Sequence, residues 1–296
     1  MERYKDIIPG WEAFLSSLER PLPIVIRTNT LRITPGELRR RLEARGFQVS
    51  PLPWYEGLFQ VEGDIPIGNT LEHWLGYYYV QEATQTLPVL ALAPRPGERV
   101  LDLCAAPGGK ATQIAQHMRD EGLVVANDPS PKRLRALLAN LYRLGVRCAV
   151  VTECLGEKFP GEGEYDRVLV DAPCSGEGTV RRHPHLRKGA PLGLIRRLAS
   201  LQKKLLCRAL QLVRPGGIVV YSTCTLAPEE NEGVVRHALD QGLGRLIPWE
   251  PPVPHARGLP GFGKEEYGQE LKRAVRLYPH HFDSEGGFIA VFRRPN

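Results

Sequence analysis

The feature that most constrains the fold is a repeated alternation of short apolar segments and longer amphipathic segments after residue 98. Helical patterns occur at Ala111 to Met118, at Pro131 to Leu144 and in the stretch 194–213. The apolar segments have the length and β-branched content of strands, and they are ERVLDLC, LVVAN, CAVVTE, DRVLVDA and GIVVYST. This alternation predicts an α/β fold with a doubly wound, mostly parallel sheet.

The residues before this alternation follow a different pattern. A helical opening from Trp11 to Leu18 precedes an extended run, PIVIRTN, and a short helix in PGELRRRLEARG, and further strand-like pieces follow. This mixture predicts a small N-terminal α+β domain. The proline- and glycine-containing segment APRPGE predicts a junction, so we expect two domains, at residues 1–92 and 93–296.

Composition narrows the class of protein and its partners. The formal net charge of +6 over 296 residues favours an anionic partner, with nucleic acid ahead of a membrane. No signal peptide and no apolar stretch of about 18 residues is apparent, which favours a cytoplasmic location. The six cysteines form no CxxC pair, so we expect reduced thiols and no metal site.

A glycine-containing turn marks a candidate cofactor site. Residues 105–110, AAPGGK, follow the first strand, and Asp128 ends the second, where an acid can bind the hydroxyls of a ribose. This pattern alone suits a nicotinamide, a flavin or S-adenosylmethionine. The turn lacks the G-x-G-x-x-G spacing, and Lys110 is not followed by Ser or Thr as in a phosphate-binding loop, so a nucleoside without phosphates is favoured.

Two cysteines lie directly after predicted strands. Cys174 follows DRVLVDAP and Cys224 follows GIVVYST. Ligands of open α/β sheets bind beyond the carboxyl ends of the strands, so we expect the two thiols to face one pocket if these strands are neighbours. The other cysteines outside the cofactor turn, Cys148, Cys154 and Cys207, are expected to be structural.

Several segments, in order and register, resemble those of the Sun family of RNA cytosine-C5 methyltransferases. The three signature segments are CAAPGGK, DAPCSGEGT and STCTLAPEEN, and IRTNTLR, LGYYYVQEAT, ANDPSPKR and RLYPHHFDSEGGF extend the likeness over nearly the whole chain. The resemblance implies a Rossmann-like S-adenosylmethionine-dependent catalytic domain behind an RNA-positioning N-terminal domain. It also implies a short form of the family, without a C-terminal RNA-binding domain.

This resemblance implies roles for four catalytic residues. Cys224 would add to carbon 6 of cytosine, and Cys174 would assist release of the RNA. Asp171 would pair with the base near N3 or N4, and Lys110 would steer Asp171 or line the pocket. A thiolate is a suitable nucleophile, because carbon 5 of cytosine is too electron-poor to attack a sulfonium methyl group before such an addition.

The resemblance also implies a set of contacts to S-adenosylmethionine. These residues lie in the glycine-containing turn and at the ends of the neighbouring strands, and they are Cys104, Ala105, Ala106, Pro107, Gly108, Gly109, Lys110, Asp128, Arg133 and Asp171. One position departs from the family pattern. Where many relatives have an acid that contacts the adenine amino group, this chain has Leu155.

Basic residues after the second signature segment predict contacts to RNA. The segment TVRRHPHLRK places cations where the phosphates beside an extruded cytosine would pass. The predicted RNA-binding residues are Arg181, Arg182, His183 and Arg187 in this segment, and Arg27 and Asn29 in the N-terminal domain. The substrate would be rRNA or tRNA, and a monomer is expected. Two alternatives are a non-catalytic RNA-binding or assembly factor and, less favoured, a nicotinamide-dependent oxidoreductase.

Overall fold

A computed structural model describes residues 1–296 and shows a small antiparallel sheet near the amino terminus. All neighbours pair antiparallel, in the order β2-β3-β1-β4. The elements of this part are α1 (Trp11–Ser17), β1 (Val25–Thr28), α2 (Pro35–Glu43), β2 (Gln48–Pro51), β3 (Leu58–Glu62), α3 (Leu71–Trp74), β4 (Tyr78–Val80) and α4 (Leu87–Leu92). The predicted small α+β domain is therefore present.

The larger sheet has nine strands and confirms the predicted α/β class. Its order is β11-β14-β15-β9-β8-β5-β6-β7, with β10 paired to β15. Its elements are β5 (Arg99–Asp102), α5 (Gly109–His117), β6 (Leu123–Asn127), α6 (Pro131–Leu144), β7 (Ala149–Thr152), β8 (Tyr165–Asp171), α7 (Leu192–Leu212), β9 (Val213–Thr223), α8 (Glu232–Asp240), β10 (Arg245–Ile247), β11 (Ala256–Arg257), β14 (Val275–Leu277), α9 (Pro279–Phe282) and β15 (Gly287–Arg293). A short hairpin, β12 (Gly261–Phe262) and β13 (Glu265–Glu266), stands apart.

The central strands are parallel and buried on both faces. β7, β6, β5, β8 and β9 pair in parallel, whereas β15 pairs antiparallel with both β9 and β14. In β8, Val168 and Val170 contribute to one hydrophobic cluster and Leu169 to the cluster on the opposite face. Because side chains on both faces of such strands are buried, their sequences are continuous apolar runs.

The small sheet is not the only N-terminal part that contacts the larger domain. α4 packs on the main sheet, where Leu87 and Leu92 join the cluster that contains Val220. Tyr4 and Phe14 pack in another cluster with Tyr278. The division at residue 92 stays a prediction, and the packing of α4 associates the residues just before it with the larger sheet.

The pattern of the sequence does not predict the carboxyl-terminal strands β14 and β15. β14 and β15 extend the parallel core with antiparallel pairing, in which Ile289 lies opposite Ser222. Neither strand is followed by a helix of the length seen between the parallel strands, so the alternation that revealed the others is missing here. None of the helices has the length and the apolar character that crossing a membrane requires.

Candidate active site at the carboxyl edge of the sheet

The two strand-end cysteines lie next to each other. β8 and β9 pair in parallel with Asp171 opposite Ser222, which brings the residues after each strand to the same edge of the sheet. The Sγ atoms of Cys174 and Cys224 are 3.3 Å apart. The neighbourhood expected from the strand ends is therefore present.

The thiol of Cys174 has an environment that keeps it protonated. Its contact with Cys224 and its burial both raise the pKa of the Cys174 thiol well above its ordinary value. The 3.3 Å contact allows either thiol to donate to the other, so a proton can pass between the two sulfurs.

Near Cys224 lies an ion pair between the buried Lys110 and the partly exposed Asp171. Lys110 Nζ donates to Asp171 Oδ2 at 2.8 Å, and the Ser222 hydroxyl donates to Asp171 Oδ1 at 2.9 Å. Lys110 Nζ also donates to Gln85. Burial opposes the charge of Lys110, but the carboxylates of Asp171 and Asp102 outweigh it and raise the pKa of Lys110.

Asp102, at the end of β5, is fully buried and lacks partners. Neither carboxyl oxygen meets a donor with the distance and angle of a hydrogen bond. Burial, reinforced by the charge of Asp171, raises the pKa of Asp102 to about 7. Because an unpartnered buried carboxyl group is costly, this position is suited to a ligand that carries donors or positive charge.

A cleft of about 290 Å³ connects these groups. We call it the carboxyl-edge cleft. Its lining comes from both domains and consists of Tyr79, Val80, Gln81, Glu82, Gln85, Asp102, Cys104, Ala105, Ala106, Pro107, Gly109, Lys110, Asp171, Thr179, Arg182, Cys224 and Glu285. Most of the predicted cofactor residues thus lie around one space, together with the predicted nucleophile.

The cofactor turn approaches the cleft with its backbone. Gly108 caps α5 with φ 109°, a conformation that L side chains rarely adopt. A Cβ atom on Gly109 would lie 3.1 Å from the ring of Tyr79. The turn contains a cis peptide bond between Ala106 and Pro107. Glycine at position 109 therefore allows the ring of Tyr79 to pack closely against the turn at the cleft.

Asp128 and Arg133 lie behind the turn. Asp128 is fully buried at the end of β6, and its Oδ2 forms an ion pair with Arg133 Nη1 at 2.9 Å. Arg133 Nη2 also donates to the carbonyl of Ala106. Neither side chain lines the cleft, and neither does Leu155, which is exposed. A contact from Asp128 to a ribose would need Arg133 to give up this ion pair.

Two of the predicted RNA-binding residues lie inside the molecule instead. Arg27 and Asn29 are each 3% exposed. Arg27 donates to Gln81 and Gln116, at 2.8 and 2.7 Å. Asn29 donates from Nδ2 to the carbonyls of Gly76 and Leu144. These side chains hold the two domains together, and their burial corrects the expectation that they contact RNA.

The basic segment after the second signature segment divides into buried and exposed members. Arg181 is buried, with Nη2 donating to the carbonyl of Pro21 at 2.7 Å and pairing with Asp283 at 2.9 Å, so its predicted RNA contact is also corrected. Arg182 is half exposed at the cleft and pairs with Glu285 at 3.2 Å. His183 is exposed, and Arg187 pairs with Glu19.

Sequence reasoning missed two acids at the cleft. Glu82 and Glu285 are buried, and the backbone N–H of Glu285 donates to Glu82 Oε1 at 3.1 Å. Burial, together with the nearby charge of Glu82, raises the pKa of Glu285 to about 7. Both acids lie within segments that carry the family resemblance, but single acids in such segments have no spacing pattern of their own.

Comparisons with known proteins identify the family on both domains. A profile described as the 16S rRNA methyltransferase RsmB/F matches residues 89–293, and one described as the N-terminal domain of 16S rRNA methyltransferase RsmF matches residues 1–83.

Individual relatives agree with the profiles. A 28S rRNA (cytosine-C(5))-methyltransferase of Mus musculus is 41% identical over 95% of this chain and 36% of its own length. A tRNA (cytosine(49)-C(5))-methyltransferase of Pyrococcus abyssi is 37% identical over 100% of this chain and 95% of its own length. A crystal structure of a methyltransferase homologue from Pyrococcus horikoshii superposes with a TM-score of 0.85 at 38% identity, over 99% of this chain and 93% of that one.

The chain spans less than two thirds of the length of several curated relatives, from 36% to 62%. Its match to the archaeal tRNA enzyme, in contrast, is nearly complete on both sides. The profile match covers more than half of the chain, and it includes both cysteines, the ion pair and the cofactor turn. The chain therefore belongs to the family described as 16S rRNA methyltransferase RsmB/F, whose curated relatives include RNA (cytosine-C5)-methyltransferases.

Proposed function

We propose that the protein transfers a methyl group from S-adenosylmethionine to carbon 5 of a cytosine in RNA. The observation that carries this proposal is the 3.3 Å approach of Cys174 and Cys224 beside the Lys110–Asp171 ion pair. A nucleophile and a source of a proton thus line one cleft, and a second thiol lies next to the nucleophile. The family to which the chain belongs supports the same reaction class.

The proposed chemistry begins with Cys224. Its thiolate adds to carbon 6 of the cytosine, and the electron pair of the carbon 5–carbon 6 double bond shifts through the ring to N3, which takes a proton. Lys110 and Asp171 hold a proton within their 2.8 Å contact, at the side of the cleft where Cys224 lies. A well-placed acid for such a step contributes roughly 10² to 10⁴ in rate.

Cys174 is proposed to act in release. After methylation, carbon 5 must lose its proton so that the bond between Cys224 and carbon 6 can break and restore the aromatic ring. Cys174 is adjacent to Cys224 but does not line the cleft. Its raised pKa keeps it protonated, so it does not compete as the first nucleophile. In release its proton passes to the sulfur of Cys224 as that sulfur leaves carbon 6, and the Cys174 thiolate so formed takes the proton from carbon 5.

The residues of the cleft fit S-adenosylmethionine. The unpartnered oxygens of Asp102 would accept from its ammonium group, and the backbone of Gly109 with the ring of Tyr79 would line the space for its nucleoside. Asp128 is proposed for the ribose hydroxyls after release from Arg133. When bound, this cofactor supplies a methyl group on a positively charged sulfur, and buried carboxylates favour such a charge.

The RNA substrate is proposed to be rRNA or tRNA, and relatives with each kind of substrate match the chain. Arg182, His183 and Arg187 remain the proposed RNA contacts of the basic segment, because each keeps some exposed surface. A monomeric state and a cytoplasmic location stay predictions.

The proposal is tested with labelled S-adenosylmethionine and unmodified transcripts of rRNA and tRNA. Cys224→Ala is expected to abolish methyl transfer, and Cys174→Ala is expected to accumulate a covalent protein–RNA adduct on denaturing gels. Cys207→Ala, in α7 and away from the cleft, serves as the matched control. Bisulfite sequencing of the product then locates the methylated cytosine.

Full activity of Cys224→Ala would overturn the mechanism. Binding of RNA without methyl transfer by the wild-type protein would favour the non-catalytic assembly factor. A nicotinamide-dependent oxidoreductase has less support, because it leaves the adjacent cysteines without a role and does not agree with the family.

A further inference from the structure

The two most exposed large apolar side chains lie on adjoining segments. Trp74 in α3 and Tyr142 in α6 are 74% and 78% exposed. Leu71, Leu75 and Leu138, on the same two helices or directly after them, are also exposed. Single exposed apolar residues are ordinary, but several on two segments whose backbones are in contact indicate a binding site. We call these five residues the α3–α6 surface.

The α3–α6 surface is held rigid by hydrogen bonds between its two segments. Arg143 Nη1 donates to the carbonyl of His73 at 2.8 Å, next to Trp74. Asn29 bridges the carbonyls of Gly76 and Leu144. A Cβ atom on Gly76 would lie 1.9 Å from the carbonyl oxygen of Arg143, so the two backbones touch. The backbone that carries the exposed rings is therefore fixed before a ligand binds, which lowers the entropic cost of binding.

This surface lies close to the carboxyl-edge cleft. The guanidinium of Arg143 is 6.0 Å from the ring centroid of Tyr79, and Tyr79 lines the cleft. Asn140 donates to the carbonyl of Pro107 in the cofactor turn at 2.9 Å, and Tyr142, half a turn further on, lies on the opposite face of α6. α6 therefore packs one face on the cofactor turn and presents Tyr142 on its outer face, where nucleotides further along an RNA chain can bind.

The charge around the surface identifies the kind of ligand. α6 carries Lys132, Arg133, Arg135 and Arg143 and no acidic residue. The acid of α3, Glu72, is buried and pairs with Arg45 at 2.7 Å. Aromatic rings on two helices that carry cations and no exposed acid suit nucleobases that stack and phosphates that follow them.

We propose that Trp74 and Tyr142 stack unpaired nucleotides that flank the target cytosine, with Lys132 and Arg135 contacting the adjacent phosphates. This inference rests on the proposed function, because it takes the substrate to be RNA. It adds a contact to RNA outside the basic segment that contains Arg182.

The first test reads the stacking directly through tryptophan fluorescence. Single-stranded oligoadenylate is titrated into the wild-type protein, and the same strand annealed to oligouridylate serves as the control ligand. We expect the single strand to quench the emission, and Trp74→Phe to remove most of that quench although three other tryptophans remain. Equal quenching in Trp74→Phe would overturn the proposal, and so would equal quenching by the duplex.

The second test separates substrate binding from catalysis. With the transcript that the wild-type protein methylates, Trp74→Ala and Tyr142→Ala are each expected to raise KM for RNA by about tenfold, within the range found for single stacked bases. The value of kcat, the Kd for S-adenosylmethionine and the thermal midpoint are expected to stay unchanged. Ile24→Ala, an exposed apolar side chain elsewhere on the N-terminal domain, is the matched control.

The outcomes distinguish this proposal from the one on which it rests. If the wild-type protein methylates RNA and both alanine variants keep the wild-type KM, only the α3–α6 surface is wrong. If the wild-type protein methylates no RNA, the reaction is wrong, and the fluorescence titration still tests the surface. A wild-type dimer that dissociates in both alanine variants would assign the surface to a second copy and overturn the proposal.

Discussion

Two buried cations, Arg27 on β1 and Lys110 on α5, differ in the groups that surround them. Arg27, at the interface of the two domains, donates only to uncharged groups: Gln81, Gln116, Thr112 and the carbonyl of Gly109. Lys110, on α5 itself, pairs with the carboxylate of Asp171 at the carboxyl-edge cleft. One cation is enclosed between the domains, and the other faces a space that a ligand can enter.

The difference shows how the same burial produces two roles. Burial lowers the pKa of Arg27, where no carboxylate opposes it. Burial acts the same way on Lys110, but Asp171 and Asp102 reverse its effect and raise the pKa. A cation whose donors are all used by neutral partners joins elements, whereas a cation paired with an acid beside a cleft can hold or move a proton.

The largest effect is expected for Lys110→Met. Loss of the ammonium leaves Asp171 with only the Ser222 hydroxyl, so kcat for methyl transfer should fall roughly 10²- to 10⁴-fold. Single-turnover kinetics on the methylated transcript measure this, with the exposed Lys158→Met as control. A wild-type kcat in Lys110→Met would remove the chemical role assigned to the cleft cation.

Arg27→Met should affect stability in place of catalysis. It leaves the side-chain oxygens of Gln81 and Gln116 without their donor inside the molecule, at a cost of about 3 kcal/mol in the free energy of unfolding. Denaturant unfolding measures the change, and Arg39→Met, on the exposed face of α2, should change it by less than about 0.5 kcal/mol. If Arg27→Met kept the wild-type stability but lost kcat, the structural role assigned to Arg27 would be wrong.

Asp102→Asn should change how stability depends on pH. In the folded protein burial raises the pKa of Asp102 to about 7, whereas in the unfolded chain it is about 3.9. Between these values the folded state holds a proton that the unfolded state has released. The free energy of unfolding therefore falls as pH rises, by up to about 1.4 kcal/mol per pH unit.

The asparagine variant lacks this titration, so the wild-type protein should lose stability relative to it from pH 4 to pH 7, a window taken from those two pKa values. Unfolding free energies measured across that window test the assignment. Parallel profiles for the two proteins would show that Asp102 keeps an ordinary pKa. Asp102 would then be a buried acid whose charge is balanced by hydrogen-bond partners.

The smallest effect is expected for Arg182→Gln. Its side chain is half exposed and pairs with Glu285, so it is more accessible to solvent than Arg27 or Lys110. We expect a several-fold weaker Kd for RNA and a reduction of about 1 in the slope of log affinity against log salt. Arg40→Gln, highly exposed on α2, is the control. An unchanged slope would place Arg182 with the structural cations.

Much of the main sheet could be predicted because its signals are local. The strands β5, β6, β7, β8 and β9 each read as a short apolar run before a turn, and Cys174 and Cys224 follow two of them directly. The closing strand β15 could not be assigned in this way, because its position beside β9 depends on antiparallel pairing and no helix separates it from a parallel partner.

The sequence predicted some residues of the candidate site but not all of them. Lys110, Asp171 and Cys224 could be named from their segments, whereas Glu82 and Glu285 meet only because the N-terminal domain and the start of β15 close on the same cleft. Residues 203 positions apart have no shared pattern in the sequence. Contacts of that range are set by the packing of whole elements.

The sequence by itself determined the order of strands and helices, the turn at the cofactor site and the two cysteines at strand ends, since these depend on short-range periodicity and on where strands stop. Only the tertiary structure decided which cations are available. Arg181 and Arg182 are adjacent and identical, yet the side chain of Arg181 is 0% exposed and that of Arg182 is 50% exposed. The two side chains differ in exposure because they point in different directions. Arg181 donates to the carbonyls of Pro21 and Ser284, so the N-terminal segment and the segment before β15 enclose Arg181 and leave Arg182 exposed.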